Sequence, residues 1–168
     1  MSFTLTSSNP ASIRAFLLGK IALPSVLLYR NMFKRHKTAW GEDRETLKVY
    51  PTGSVGMMMS DFLYQNDIDL EPKMENHDFF HVVLDYKTTL QEEAALHFFL
   101  IGNGKGSHYP FIAAFVGFAF FPEHYDLYID AYHRGRSAKP FVQKPMKEFL
   151  SNDLTQFREK QCIHDRMF

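Results

Sequence analysis

The chain has 168 residues, with 19 Lys and Arg balanced by 19 Asp and Glu, and a pI near 7. Its length fits one domain, residues 1–168, with a real core, and its zero net charge offers no basic surface for nucleic acid. Cys162, the single cysteine, excludes an intramolecular disulfide and a thiolate metal cluster, consistent with a reducing cytosol, while seventeen Phe, eight Tyr and eight Met can line a large apolar cavity as well as a core.

Asn9-Pro10 reads as the cap and first turn of a helix running to about Ala22, and Pro24 starts a second through Phe33. Ile13, Phe16, Leu17 and Ile21 recur at helical spacing. Lys20 interrupts the apolar run and no small-residue cleavage site follows, so no signal peptide is expected; a bacterial cytoplasmic protein is the simplest inference. Arg30, Lys34, Arg35, His36 and Lys37 form a basic cluster that can either touch anionic lipid head groups or end a solvated helix. Thr38 to Lys48 is polar and reads as a loop. Ser54 caps a helix holding Met57, Met58, Phe62 and Leu63 and ending near Asn66. The glycines there match no phosphate-loop pattern and fit close packing of the helix start against a neighbour.

After Asp67 to Lys73 comes the stretch that concentrates metal-competent side chains, Asn76 to Leu96. On one helix His77 and His81 lie a turn apart on one face, with Asp78 at i, i+3 from His81. If that helix continued, Glu93 would lie about 18 Å beyond His81. Thr88 with Gln91, or Thr89 with Glu92, can instead form a capping box that opens a new helix near Leu90. The turn then falls near Lys87, and Glu93 faces His81 across an αα-hairpin because each is six residues from it. Two imidazoles and one or two carboxylates suit Zn²⁺ or another divalent ion. The competing reading is a polar helix start with Asn76 as N-cap and Asp78 favouring the dipole. Phe79, Phe80, Val82, Val83 and Leu84 weigh against it, since His and Asp in so apolar a segment are partly buried and need partners. His97, four residues after Glu93, faces His77 and is a core residue or a further member of the site.

The second hairpin helix should stop at Gly102-Asn103-Gly104. Tyr109 to Phe121 is the most apolar run, too short to span a bilayer, and reads as a buried helix continuing past Pro122 through Tyr128 and Tyr132 to Gly135. Arg134, Arg136 and Lys139 at its end can bind a substrate carboxylate or phosphate, or satisfy the last helical carbonyls with Gly135 as cap. One polar helix around Met146 to Lys160 closes the chain, and His164-Asp165 reads as tail. No strand-like alternation recurs, so the expected fold is an all-α bundle of about six or seven helices around the metal-binding hairpin.

The string His77-Asp78-x-x-His81 followed after eleven residues by Glu93 resembles the signature of the ubiquinone (coenzyme Q) biosynthesis family of the Coq-four type. Two further segments resemble that family in the same order: Tyr50-Pro51-Thr52-Gly53-Ser54-Val55-Gly56 upstream, and Arg134-Gly135-Arg136-Ser137-Ala138-Lys139-Pro140 downstream. The similarity spans roughly Leu47 to Phe141. The chain departs from the pattern at Asp85, where glycine is common, and at Glu92, where a glycine precedes the motif glutamate.

The resemblance implies a metal-binding protein of ubiquinone biosynthesis, with His77, Asp78, His81 and Glu93 as ligands. It acts on or holds a polyprenylated hydroxybenzoate-type intermediate, through C1 decarboxylation with hydroxylation or through a scaffolding role among quinone-biosynthesis enzymes. An apolar groove for the prenyl tail and peripheral membrane contact follow from such a ligand. Asp78 or Glu93 is then available for proton transfer. With three direct ligands a zinc ion keeps a position open for water or substrate; with Asp78 as a fourth the site is closed. The alternative class is a lipid-binding or assembly protein without turnover, and the adjacent His77-Asp78 also admits an HD-type metal phosphohydrolase.

Overall fold

The computed structural model describes residues 38–166, and the two expected N-terminal helices with the basic cluster ending at Lys37 lie outside the described residues. Among the described residues there are seven α-helices, two short 3-10 turns and no strand beyond one isolated bridge, Ser54 to Asp153. The all-α expectation holds, with seven helices in this part of the chain alone.

The polar segment expected as a loop contains α1, Arg44–Lys48. Asp43 and Thr46 close a capping box in which each backbone N–H donates to the other's side chain at 2.8 Å, and Leu47 is driven fully inside. The next helix, α2, Val55–Asn66, starts and stops where expected: the Ser54 side chain accepts from Met57 N, and Gly56 packs against the Tyr50 ring. Two further N–H groups at its start, on Val55 and Gly56, donate to the carbonyls of Asn152 and Leu150. Free amides at a helix start need such acceptors once water is excluded.

The hairpin follows as α3, Glu75–Leu84, and α4, Leu90–Gly102. Met74 rather than Asn76 precedes α3, without a side-chain cap. The expected capping box at α4 does not form: Thr89 is the N-cap but its side chain makes no cap bond. Glu92 instead accepts from Lys87 N at 3.3 Å and pairs with Arg166. α4 is the central helix, packed along α5, His108–Phe120, and α6, Tyr125–Ser137.

Gly135 is not a cap. It lies inside α6 at the crossing with α4, where an added Cβ would stand 2.2 Å from the Phe99 carbonyl oxygen, so only a hydrogen lets the two backbones approach. α5 and α6 are separate helices, broken at Phe121 and the 3-10 turn Pro122–His124, because proline has no N–H to continue the ladder.

α5 is also not a buried helix. Only Pro110, Ala114 and Gly117 are buried, while Ile112 and Phe115 are 61% and 71% exposed. Gly117 seats on Ala94 of α4, while Phe111, Ile112, Phe115 and Phe118 are exposed. Among the described residues no helix is long and apolar enough to cross a membrane.

The closing polar helix is split as well, into a 3-10 turn, Met146–Phe149, and α7, Leu154–Lys160, with Asp153 capping α7 by accepting from Gln156 N at 2.9 Å. Around α3 and α4 the core gathers Phe79, Phe80, Phe99, Phe141 and Phe157 in edge-to-face contacts, a geometry favoured by the aromatic quadrupole. Asn103, buried at the end of α4, donates to the carbonyls of Gly135, Ala138 and Lys139 and accepts from the N–H of Phe141 and Val142. It thereby pins the chain after α6 beneath α4.

Candidate metal centre

α3 carries His77 and His81 one turn apart, and the chain reverses after Leu84 at Asp85, which adopts a left-handed conformation with φ 60°. That reversal puts Glu93, in the first turn of α4, between the two imidazoles. His77 Nε2 lies 3.1 Å from Glu93 Oε2, and His81 Nε2 lies 3.1 Å from Glu93 Oε1. One ligand atom from each of His77, His81 and Glu93 falls within 4.8 Å of the others. A zinc ion bound tetrahedrally at roughly 2.0–2.2 Å sets two of its ligands about 3.3 Å apart, close to both separations.

The hydrogen bonding shows why the site suits a cation. His81 is buried, its side chain 1% exposed, and its Nδ1 lies 2.9 Å from the Tyr86 carbonyl oxygen. A carbonyl only accepts, so Nδ1 carries the proton and Nε2 of the neutral ring presents a lone pair. That Nε2 has no hydrogen-bond donor and points at a carboxylate oxygen. Two lone pairs at that distance repel unless a proton or a metal ion lies between them. The Phe62 ring stacks on the imidazole at 5.3 Å and 16°, which fixes its plane.

His77 is arranged similarly. Asp78 Oδ1 lies 3.7 Å from its Nδ1, on the ring edge opposite Glu93. A carboxylate behind the metal-facing histidine is the usual way a protein sets the ligating tautomer and raises its basicity. Asp78 thus stands on the side of the His77 ring away from Glu93.

Burial alone would lower the His77 pKa, but the Glu93 charge and the Asp78 carboxylate outweigh it and raise it to about 10. Glu93 shows the converse: burial opposes ionisation, yet the charge of His77 and its hydrogen bond hold the carboxyl well below the usual carboxylate range. Glu93 is therefore an anion at neutral pH, fit to be a ligand or to accept a proton.

His97 is beside the triad rather than part of it. Its ring centroid is 6.1 Å from that of His77 and 5.3 Å from that of Tyr109. Burial first, and the neighbouring His77 next, push its pKa down to about 3. It is a neutral imidazole whose Nδ1 has no hydrogen-bond partner.

The three candidate substrate-binding cations are spread out. Arg134 is buried and donates to the His164 carbonyl, the Tyr86 hydroxyl and the Leu84 carbonyl at 3.0, 2.8 and 3.3 Å. It braces the turn behind the site. Lys139 donates to the Lys160 carbonyl at 3.0 Å, and Arg136 is exposed. The expected tail at His164-Asp165 is tied down through Arg134 and Arg166. Sequence reasoning missed the Tyr86 carbonyl, because a backbone acceptor leaves no mark in residue types. It could have found Phe62, which lies on the helix after Ser54.

The outer side of α4 faces a groove of about 420 Å³ lined by Phe98, Ile101, Phe111, Phe115, Phe118 and Tyr132, with Ala114 and Ile129. Ala94, next to Glu93, takes Gly117 of α5 so closely that an added Cβ would stand 2.2 Å from its own Cβ. One helix thus carries a candidate metal ligand on one face and apolar groove wall on another.

Fold and site together define an all-helical protein with a candidate His-His-carboxylate metal centre. No family model matches the chain, and no curated protein matches it. Among solved structures, it is similar to a protein from Nostoc punctiforme whose name reads "putative ubiquinone biosynthesis protein", with a TM-score of 0.62 and 15% identity over 94% of this chain and 83% of that one. At that identity the likeness is one of fold.

Proposed function

We propose that the chain is a metal-binding protein of ubiquinone biosynthesis that acts on a polyprenylated hydroxybenzoate-type intermediate by removing its ring C1 carboxylate. The observation that carries this reading is the convergence of His77, His81 and Glu93 at ligand spacing, on the helix that also walls an apolar groove. The likeness of the three ordered sequence segments, and of the fold, to ubiquinone-biosynthesis proteins supplies the substrate class.

His77, His81 and Glu93 would hold the ion, zinc by the chemistry of two imidazoles and a carboxylate. An ion held by His77, His81 and Glu93 would supply a Lewis acid for a substrate carboxylate. The groove takes the prenyl tail, and the outward aromatic residues of α5 give a route for peripheral membrane contact. In decarboxylation the C1–carboxylate bond breaks, CO₂ leaves, and the bonding pair at the ring carbon takes up a proton. That proton comes from water; Asp78, on the Nδ1 edge of His77, would set the ligating tautomer of that ring. Glu93, held anionic, is suited to ligation and not to donation. Hydroxylation of the same carbon requires dioxygen or another two-electron oxidant as co-reactant.

A second reading, a prenyl-lipid-binding or assembly protein for quinone-biosynthesis enzymes, is favoured by one observation. Arg134, the buried member of the cationic trio, already has three acceptors within the fold. Metal analysis of the purified protein, mass spectrometry of co-purifying lipids and turnover of a prenylated hydroxybenzoate form the test. CO₂ release that disappears in His81→Ala and Glu93→Ala supports the enzyme; lipid bound without turnover supports the second reading; metal without any isoprenoid refutes both.

A further inference from the structure

The Nε2 of His81 faces Glu93 because its Nδ1 is held by the Tyr86 carbonyl, so whatever holds the peptide of Tyr86 governs the site. The five carbonyls from Val82 to Tyr86, at the end of α3 and in the turn after it, all have donors. Arg158 of α7 donates to Val82 and Val83 at 2.9 and 3.0 Å. Arg134 of α6 donates to Leu84 at 3.3 Å and to the Tyr86 hydroxyl at 2.8 Å. Arg166 donates to Asp85 at 2.7 Å. The Tyr86 ring is also flanked by two guanidinium groups, Arg134 at 5.4 Å and Arg166 at 4.9 Å from its centroid.

Arg166 does more than cap. Through a fork of two bonds, 2.7 and 2.6 Å, it holds Glu92 on α4, the residue next to the ligand Glu93. One side chain therefore grips both the turn that positions His81 and the helix that carries Glu93. Three guanidinium groups from three separate segments are far more than a helix end requires, since water or one cation satisfies its carbonyls. A planar fork also fixes orientation in a way that an ammonium does not.

We infer that Arg134, Arg158 and Arg166 are positioning residues for the metal centre, gripping the chain from Val82 to Tyr86 so that His81 and Glu93 are held at ligand spacing before an ion arrives. The inference rests on reading the triad as a metal site. It makes the segment that carries Arg166 a latch whose docking sets metal affinity.

The test uses the full chain and zinc alone. Zinc affinity is measured by competition with a chromophoric chelator, and the His81 tautomer of the metal-free protein is read from long-range ¹H–¹⁵N spectra. Arg166→Gln and Arg134→Lys are each expected to weaken zinc binding about 10–100-fold, the range typical of residues behind metal ligands, and to convert a single Nδ1–H tautomer of His81 into a mixture. Leu47→Ala, a core truncation in α1, serves as a control that lowers thermal stability and leaves both readings unchanged. Wild-type affinity and a single tautomer in the arginine variants would overturn the inference, as would an equal loss of affinity in Leu47→Ala. If the wild-type protein binds no zinc, the metal reading itself fails, and the His81 tautomer alone then decides whether the arginines position the ring.

Discussion

Replacing Glu93 by Gln keeps the volume of the side chain and removes the charge that His77 and His81 share. In the wild-type protein, zinc at a hundred times its dissociation constant stabilises the fold by about 2.7 kcal/mol. For a chain of 168 residues, at about 2–4 °C per kcal/mol, that is a rise of about 5–11 °C in Tm. Loss of a direct ligand is expected to weaken binding by at least the roughly 100-fold that marks the upper range for residues behind the ligands. The same zinc then stabilises Glu93→Gln by only about 0.4 kcal/mol, a shift of about 1–2 °C. The metal-free variant also melts lower, because a charge-assisted hydrogen bond is worth about 1.5–3 kcal/mol. Thermal melts by circular dichroism, with chelator and with added zinc, separate the two effects. A full zinc-induced rise in Glu93→Gln would refute the assignment of Glu93 as a ligand.

Further predictions concern the surroundings of the site. His97 is buried neutral with its pKa pushed down to about 3, so the stability it protects is complete above about pH 6.5 and is lost as pH falls from there towards 3; urea titrations from pH 7 to 4 should show His97→Phe losing less stability than wild type. Gly135→Ala forces a Cβ to within 2.2 Å of the Phe99 carbonyl oxygen and should cost about 1–3 kcal/mol, read as a lower urea midpoint with an unchanged slope. Phe115→Glu, at a position 71% exposed, should leave stability within about 0.5 kcal/mol and sharply reduce co-purifying lipid, measured by mass spectrometry. Asp85→Gly relieves a left-handed φ of 60° and should stabilise the fold by up to about 1 kcal/mol in the same titrations.

The hairpin was legible because its geometry follows from counting: two histidines a turn apart, a reversal at fixed distance and a glutamate equally far beyond it. The ends of α2 and α4 were legible too, since Ser54 and the Gly102-Asn103-Gly104 run are local signals that tertiary contacts do not override. The outward aromatic face of α5 was not, because hydropathy measures how apolar a segment is and not which way it points. Its burial is decided by Gly117 seating on Ala94, a contact between neighbouring helices that no pattern within either one announces. The partners of Arg134 were not legible for a related reason. Its acceptors lie on α3, on the following turn and at His164, and no spacing rule joins them. The departures at Asp85 and Glu92 each acquire a physical sense: Asp85 occupies a backbone conformation that favours glycine, and Glu92 supplies the acceptor for Arg166.

X-ray absorption at the zinc edge, on protein loaded with one equivalent of zinc, tests the central claim most directly. It should show stoichiometric metal in a shell of nitrogen and oxygen at about 2.0–2.2 Å, with outer-shell scattering from two imidazoles that falls to one in His77→Ala. Sulfur scattering at about 2.3 Å, which Cys162 or methionine would give, or an unchanged imidazole count in His77→Ala, would place the ion elsewhere and contradict the account.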